Sequence, residues 1–473
     1  MSRPDRTHVA AALSQRLGQG AVLTEPHELA RYEQGWRYGR GAALAAVRPR
    51  DTEEVASVLR YAFEQGIRVV AQGANTGLVG ASTPDASGEM LVLSLERVTR
   101  PLEVDPADRT VIAGAGVRLS GLDAALEPHG LMFPVDVGAD PTVGGMVVTN
   151  TGGTRLLRYG DVRQNLLGIE VALADGSVLD LMTALRKNNV GLDPKQLFVG
   201  TSGVFGVVTR VLLRVVQRPL QQATAFVGAT DGATVLAVLR HLEASVGELL
   251  TAFEVMSQDA LAPVFQHQAR LRNPFGAALP AFTILVELST TLPGQHVALE
   301  ALLESTLGGA CEGSAGEGIT DVFPGKPAEL WEVRHHVSES HRHLGEVLGL
   351  DISVPRSALP ELLDEARRML AAEYPFVCVC DFGHWGDGGV HLNLVWSSTP
   401  AARPAAELKA ALQTRIYELA IGRFRGSFSA EHGIGPHNQP FYDRYTPELV
   451  RAVCRVLKTT LDPQALLGTT RLG

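Results

Sequence analysis

Val70-Ala71-Gln72-Gly73-Ala74-Asn75-Thr76-Gly77-Leu78-Val79-Gly80-Ala81-Ser82 decides how the first half of this chain is read. An apolar run ends at Gln72, and glycines then alternate with small polar residues. Glycine allows positive φ and a close approach of another molecule to the backbone. Several N–H groups facing one way hold an anion. Asn, Thr and Ser beside them add hydrogen bonds without adding charge. A second stretch has the same make-up: Pro134-Val135-Asp136-Val137-Gly138, then Pro141-Thr142-Val143-Gly144-Gly145-Met146, then Asn150-Thr151-Gly152-Gly153. Either stretch alone reads as ordinary tight turns. Together they suit the two phosphates of a dinucleotide, because a plain turn does not need the Asn-Thr company. The expected cradle is Gly73, Ala74, Asn75, Thr76, Gly77, Gly80 and Ser82 in the first loop. In the second it is Pro134, Asp136, Gly138, Thr142, Gly144, Gly145, Asn150, Gly152 and Gly153.

Around these loops, between residues 66 and 206, short apolar strands alternate with glycine turns and with helix patterns at Thr52 to Gln65 and Ser120 to His129. Asp175-Gly176 inside VALADGSVLDL is a hairpin signal. Mixed strands and helices with many turns indicate an α+β fold. The Rossmann fingerprint fails, since Leu119 stands where Gly114-Ala115-Gly116 would need its third glycine. No Walker loop occurs, because Gly325-Lys326 runs into Pro327. After about residue 219 glycine thins. Helix patterns then appear at 232–247, 296–306, 327–348, 357–373, 403–423 and 446–461, around strands near 282–288 and 376–396. A boundary is expected at Gln217-Arg218-Pro219.

The chain has 473 residues, 45% hydrophobic and 20% charged, which is globular rather than disordered. A net charge of −9 offers no general attraction to nucleic acid or to an anionic membrane. Four cysteines are too few for a disulfide framework, and Cys378 and Cys380 read as small core residues on one strand face. The first residues are too polar for a secretory segment, and no apolar run approaches the roughly 20 residues of a membrane span. A cytoplasmic protein that is not an integral membrane protein is expected, with peripheral association left open.

The most specific chemistry lies in Phe376-Val377-Cys378-Val379-Cys380-Asp381-Phe382-Gly383-His384-Trp385-Gly386-Asp387-Gly388-Gly389-Val390-His391-Leu392-Asn393-Leu394, read as strand, turn, strand. With Gly386 to Gly389 as a four-residue loop, His384 faces His391 and Trp385 faces Val390. Opposed residues share a face with Cβ atoms roughly 4.5–5.5 Å apart, which suits two imidazoles on one metal. Asn393 lies on the same face. In Ser429-Ala430-Glu431-His432-Gly433-Ile434-Gly435, Glu431 offers a third, oxygen ligand and His432 a base. Arg334 and Ser338, four apart on a helix, would grip a carboxylate.

These motifs, in this order, resemble the FAD-linked oxidases of the vanillyl-alcohol oxidase and p-cresol methylhydroxylase superfamily. Within it the closest look is to the D-2-hydroxyglutarate, D-lactate and glycolate enzymes. The resemblance implies an α+β chain: an N-terminal helical segment (1–39), a two-subdomain FAD-binding PCMH-type domain (40–219), and an α+β substrate (cap) domain with an antiparallel sheet (220–473). It implies FAD, extended along the glycine loops and also touched by Tyr159, Gly160 and Val208. The first loop has no His or Cys for covalent attachment, so noncovalent FAD is expected. It implies metal ligands His384, His391 and Glu431, an active-site base His432, and substrate contacts Asn393, Arg334 and Ser338. Zinc is the expected metal, with manganese or iron compatible with the same ligands. Some positions depart from the family pattern. Ser202 stands for a Glu, Asn438 for a Lys, and Gly468-Thr469-Thr470-Arg471 for Asn-Pro-Gly-Lys. Gly349 stands for a Lys that helps hold a second substrate carboxylate.

The expected activity is therefore oxidation of a D-2-hydroxy acid to the 2-oxo acid, with hydride passing to flavin and electrons then passing to an electron-transfer flavoprotein or a quinone-linked partner. A homodimer is compatible. Two alternatives stand beside it: a flavoprotein subunit of a glycolate-oxidase-like complex, and a metal-dependent hydrolase that would leave the glycine loops idle.

Overall fold

A computed structural model of the chain describes residues 5–276, 278–313, 316–397 and 405–473. They form two compact units. The first comprises Met1–Gly153, Gly160–Gln217 and Glu431–Gly473; the second comprises Thr154–Tyr159 and Arg218–Ala430. The compact units are not continuous in sequence, because the last segment, Glu431–Gly473, packs with the glycine-rich half. Its backbone explains this. Val69 N–H donates to Leu466 O and Gly468 N–H to Val69 O, both at 2.8 Å, so the C-terminal segment lines the edge of the strand that feeds the first glycine loop.

The first unit opens with helices Arg6–Leu17 and Pro26–Glu33. Residues 1–4 of the expected 1–39 segment lie outside the described residues. A four-stranded sheet follows, with Ala43–Val47, Met90–Ser94 and Val69–Gln72 running parallel. Helix Thr52–Gln65 forms as its sequence predicts: Asp51 accepts the Glu54 N–H at 2.9 Å, and Gly66 closes it at φ 64. Val55, Val58, Leu59 and Ala62 give it one buried stripe. A five-stranded antiparallel sheet carries the Asp175-Gly176 hairpin, with Ala172 paired to Val178. The pattern at 120–129 resolves into helix Leu119–Leu126 and a tighter turn, Glu127–His129.

The second unit is built on a seven-stranded sheet in which every neighbouring pair is antiparallel. Across it run Ile319–Gly325, Gln221–Ala229, Phe282–Thr290, Leu250–Ser257, Cys378–Gly383, Gly389–Trp396 and Glu346–Ser353. Four of these strands went unread. Leu250–Ser257 is buried at every position, so its sequence has no polar alternation to show. The expected 327–348 helix is shorter: Pro327–His335, Val337–Ser340 and a turn at His341–His343, then a strand from Glu346. Gly345 ends it at φ 136, where a side chain would meet the Trp396 carbonyl at 2.3 Å. The 403–423 pattern becomes helix Ala405–Tyr417 with a wider last turn, Glu418–Arg423; residues 403 and 404 lie outside the described residues. Cys380 is buried as expected, but Cys378, at the start of its strand, is exposed.

Candidate active site

One face of the second unit's sheet collects the polar groups. Strand register puts Phe382 opposite His391 and Cys380 opposite Asn393, with Asp351 and Gly349 opposite His391 and Asn393 on the other side. Residues on a strand alternate faces, so His384, His391, Asn393, Asp351 and Glu254 share this one. The hairpin register differs by two residues from the expected pairing of His384 with His391. Trp385 is the reason. It is fully buried in the turn against Phe282 at 5.5 Å rather than standing opposite Val390. The ladder ends at Gly383, and the His384 carbonyl takes the N–H groups of Asp387 and Gly389, each at 3.1 Å. A two-residue slip preserves the face. The imidazoles of His384 and His391 are neighbours, with centroids 5.2 Å apart and a ring nitrogen of each within 4.8 Å of the other's.

Each imidazole has a carboxylate on its Nδ1 side. His384 Nδ1 is 2.5 Å from Glu254 Oε1, and His391 Nδ1 is 3.7 Å from Asp351 Oδ1. This is how metal-bound histidines are held, with the far nitrogen turned to the ion. The donor set therefore fits a divalent cation. Glu254, absent from the sequence reading, also accepts Arg334 Nε at 2.7 Å and is 1% exposed. Burial pushes its carboxyl upward; His384 and Arg334 outweigh that and hold it at about 2. The Arg334 guanidinium lies 4.8 Å over the Phe382 ring and, among the described residues, has only Nε committed. Ser338 is exposed, four residues on, and its hydroxyl makes no hydrogen bond among the described residues.

Asn393 is oriented by a residue the sequence did not mark. His341 is fully buried, with Nε2 3.1 Å from Ala260 O. A carbonyl only accepts, so Nε2 carries the proton and Nδ1 is the acceptor. Burial pushes this imidazole below its usual range, which keeps it neutral. Asn393 Nδ2 therefore donates to His341 Nδ1 at 2.9 Å, and its oxygen is left for a ligand.

In the first unit the two glycine stretches meet. A Cβ on Gly73 would lie 2.2 Å from Thr142 Oγ1, and one on Gly153, at φ 90, would lie 2.2 Å from Asp136 O. Asn75, Asn150 and Ser202 all take positive φ, which is uncommon for residues with side chains. Asn75 is held there by Nδ2 to Gln34 O at 2.8 Å and by the Ser82 hydroxyl at 2.9 Å. No backbone hydrogen bond among the described residues uses the N–H groups of Ala74, Asn75, Thr76 or Gly77. Unspent amides beside a glycine whose absent side chain would face open space (Gly77) fit a pyrophosphate. Pro134, Thr142, Gly144 and Gly152 are buried, and Gly138 is exposed. Val208 is buried in the sheet opposite Val171. Gly160 belongs to this unit and Tyr159 to the second.

Glu431 and His432 also sit in the first unit, where Glu431 Oε1 accepts the Gly153 N–H at 3.3 Å. Ser202, in place of the family's Glu, bonds Ile434 O at 2.6 Å. Asn438, in place of the family's Lys, is buried and ties the turn together through Gly433 O and the Gly435 N–H. Gly468, at φ 79, begins the divergent C-terminal segment, and the Thr469 hydroxyl reaches Ala81 O at 3.5 Å.

Comparison with known proteins gives the family. Residues 43–182 match the FAD binding domain family, and residues 218–471 match the C-terminal domain of FAD linked oxidases. D-2-hydroxyglutarate dehydrogenase from Bos taurus is 35% identical, covering 98% of this chain and 82% of that protein. The enzyme of the same name from Xanthomonas citri is 33% identical over 98% of this chain and 96% of its own. The substrate-bound crystal structure of p-cresol methylhydroxylase shares the fold at a TM-score of 0.75, with 15% identity, over 97% of this chain and 95% of that one. Among the described residues no helix is long and apolar enough to cross a membrane. The chain belongs to the FAD-linked oxidases, as a relative of the D-2-hydroxyglutarate dehydrogenases, and is an FAD-dependent oxidoreductase.

Proposed function

We propose that this chain oxidises a D-2-hydroxy acid to the 2-oxo acid, with His384, His391 and Glu431 as ligands of a divalent cation, zinc in the first instance, and His432 as the base. The observation that carries the reading is the imidazole pair, each ring backed by a carboxylate at Nδ1. When bound, noncovalent FAD supplies the hydride acceptor and the cation makes the substrate hydroxyl more acidic. His432 takes the hydroxyl proton on a ring nitrogen. The Asn393 amide, fixed by its bond to His341, stands on the same sheet face and limits how the bound acid can turn. Arg334 offers its Nη hydrogens to a carboxylate. The Arg334 charge is already balanced by Glu254, and Gly349 brings no side chain opposite Asn393. A monocarboxylate such as D-lactate is therefore favoured over a dicarboxylate. Electrons leave to an electron-transfer flavoprotein or a quinone-linked acceptor.

The test is an anaerobic screen of D- and L-2-hydroxy acids, watching the flavin band near ~450 nm bleach. Bleaching by D-monocarboxylates, weaker with D-2-hydroxyglutarate, is expected. A response to L-acids alone would overturn the assignment.

A further inference from the structure

The first unit carries a second polar feature, at the opposite end of its antiparallel sheet from the flavin loops. A cavity of about 450 Å³ is lined by Ala107, Arg109, Arg186, Arg214, Val215 and Val216. Strand Val207–Arg214 starts next to the 200–206 loop, which is tied to the second glycine stretch by the Gly200 and Ser202 N–H groups on Val147 O and Val148 O, and ends at this cavity. At ~3.3 Å per residue the two are about 23 Å apart. The cavity is therefore separate from the pyrophosphate cradle.

Its chemistry is one-sided. Three guanidinium groups line it, and no carboxylate does. The chain as a whole carries −9, so this is not the overflow of a basic protein. Nearby acids are committed elsewhere or unpaired with these arginines. Asp105 accepts the N–H groups of Ala107 and Asp108 at 2.9 and 3.0 Å. Asp108 forms no ion pair with any of the three among the described residues. The guanidiniums are only partly spent. Arg186 gives one Nη to Asp108 O at 2.6 Å and Arg214 gives Nε to Asn165 Oδ1 at 3.2 Å. The Arg109 guanidinium has no partner among the described residues. Arg109 also takes a positive φ of 52, pinned by its carbonyl, which accepts the Val215 N–H at 3.0 Å. The turn thus holds an uncommon backbone conformation and leaves a free cation at the rim of the cavity.

We propose that this cavity is a binding site for a small multivalent anion, one carrying at least two phosphoryl or carboxylate groups on a short skeleton. Guanidinium forks match both groups. The volume is at the low end of the ~300–1,000 Å³ typical of ligand sites. Val215, Val216 and Ala107 provide an apolar wall for the skeleton.

The experiment is calorimetric titration of the FAD-loaded protein with inorganic pyrophosphate in one arm and citrate in the other, at low and matched ionic strength. One-to-one saturable binding in either arm is expected, and the stronger arm names the source as phosphoryl or carboxylate. The Arg109→Ser/Arg186→Ser double variant should weaken it at least tenfold. Both side chains are exposed, so the flavin spectrum and unfolding midpoint should not change. Arg109→Lys, which keeps the charge, should retain part of the affinity. Absence of saturation in both arms would overturn the proposal. So would affinity unchanged in the double variant, or binding seen only after FAD is stripped, which would place the anion in the flavin cradle.

Discussion

Replacing Glu254 tests whether one buried carboxylate organises the second unit's site. It is 1% exposed, 2.7 Å from Arg334 Nε and 2.5 Å from His384 Nδ1. In Glu254→Ala the guanidinium stays buried and loses its counterion. Breaking a buried ion pair from one side costs about 3–5 kcal/mol. For a domain of ~150–250 residues each kcal/mol moves Tm by about 2–4 °C, so a fall of about 6–20 °C is expected. Tryptophan fluorescence follows it, since Trp331, Trp385 and Trp396 all belong to the second unit. Glu254→Gln should recover only part of the loss, because its NH₂ meets a donor on one side. Adding Arg334→Met to Glu254→Ala should restore stability above that of the single variant, since the unpaired charge is then gone. Metal content should fall in Glu254→Ala as His384 loses its orienting partner, while FAD content should not change. A Tm within about 2 °C of wild type, with metal retained, would refute the reasoning.

Three further outcomes follow from single contacts. His384→Ala should abolish turnover and bound metal, by elemental analysis, while the flavin spectrum persists; activity surviving both this change and chelation would remove the metal from the reaction. Gly153→Ala drives a methyl to 2.2 Å from Asp136 O at φ 90, so FAD occupancy, read from the 450-to-280 nm absorbance ratio (approximate band positions), should fall by about tenfold or more. Burial, with the Arg37 charge and then His432 beside it, pushes His437 down to about 4, while Tyr38 stacks on it at 3.5 Å. The unfolded chain binds that proton near pH ~6.5. Stability from neutral His437 is therefore present above 6.5 and lost as pH falls toward 4, by about 1–2 kcal/mol after solvent screening. His437→Phe should flatten that part of a Tm-against-pH curve.

The backbone of the glycine loops was readable because its conformation is set locally. Gly73, Asn75 and Thr76 are consecutive or nearly so, and the turn they form is written in their own φ preferences. The His384–His391 pair was readable for a related reason: a hairpin places its own partners. Glu254 was not. Its strand is buried on both faces, so no alternation marks it, and its partner His384 is 130 residues away. His341 was hidden the same way, in a segment that read as the tail of one long helix. The helix in fact breaks, and the break is what turns its imidazole to Asn393. The C-terminal segment Glu431–Gly473 was assigned by position in the chain. Its place in the first unit is set by main-chain bonds to Val69, which no side-chain pattern announces.

Hairpin register shows which errors a sequence reading tolerates. Side chains alternate with a period of two, so a slip of one residue would have sent His384 to the opposite face of the sheet from His391. The slip found here is two, because Trp385 leaves the ladder to fill a core position against Phe282. His384 thereby moves from the strand into the turn and keeps its face. That move also brings its Nδ1 to Glu254 on the adjoining strand rather than leaving it over its own hairpin. The same buried tryptophan that spoils the simple pairing therefore supplies the histidine with its carboxylate, and through Glu254 couples it to Arg334. His384, Glu254 and Arg334 are in that sense one hydrogen-bonded unit, and a substitution at Trp385 should disturb both ends together.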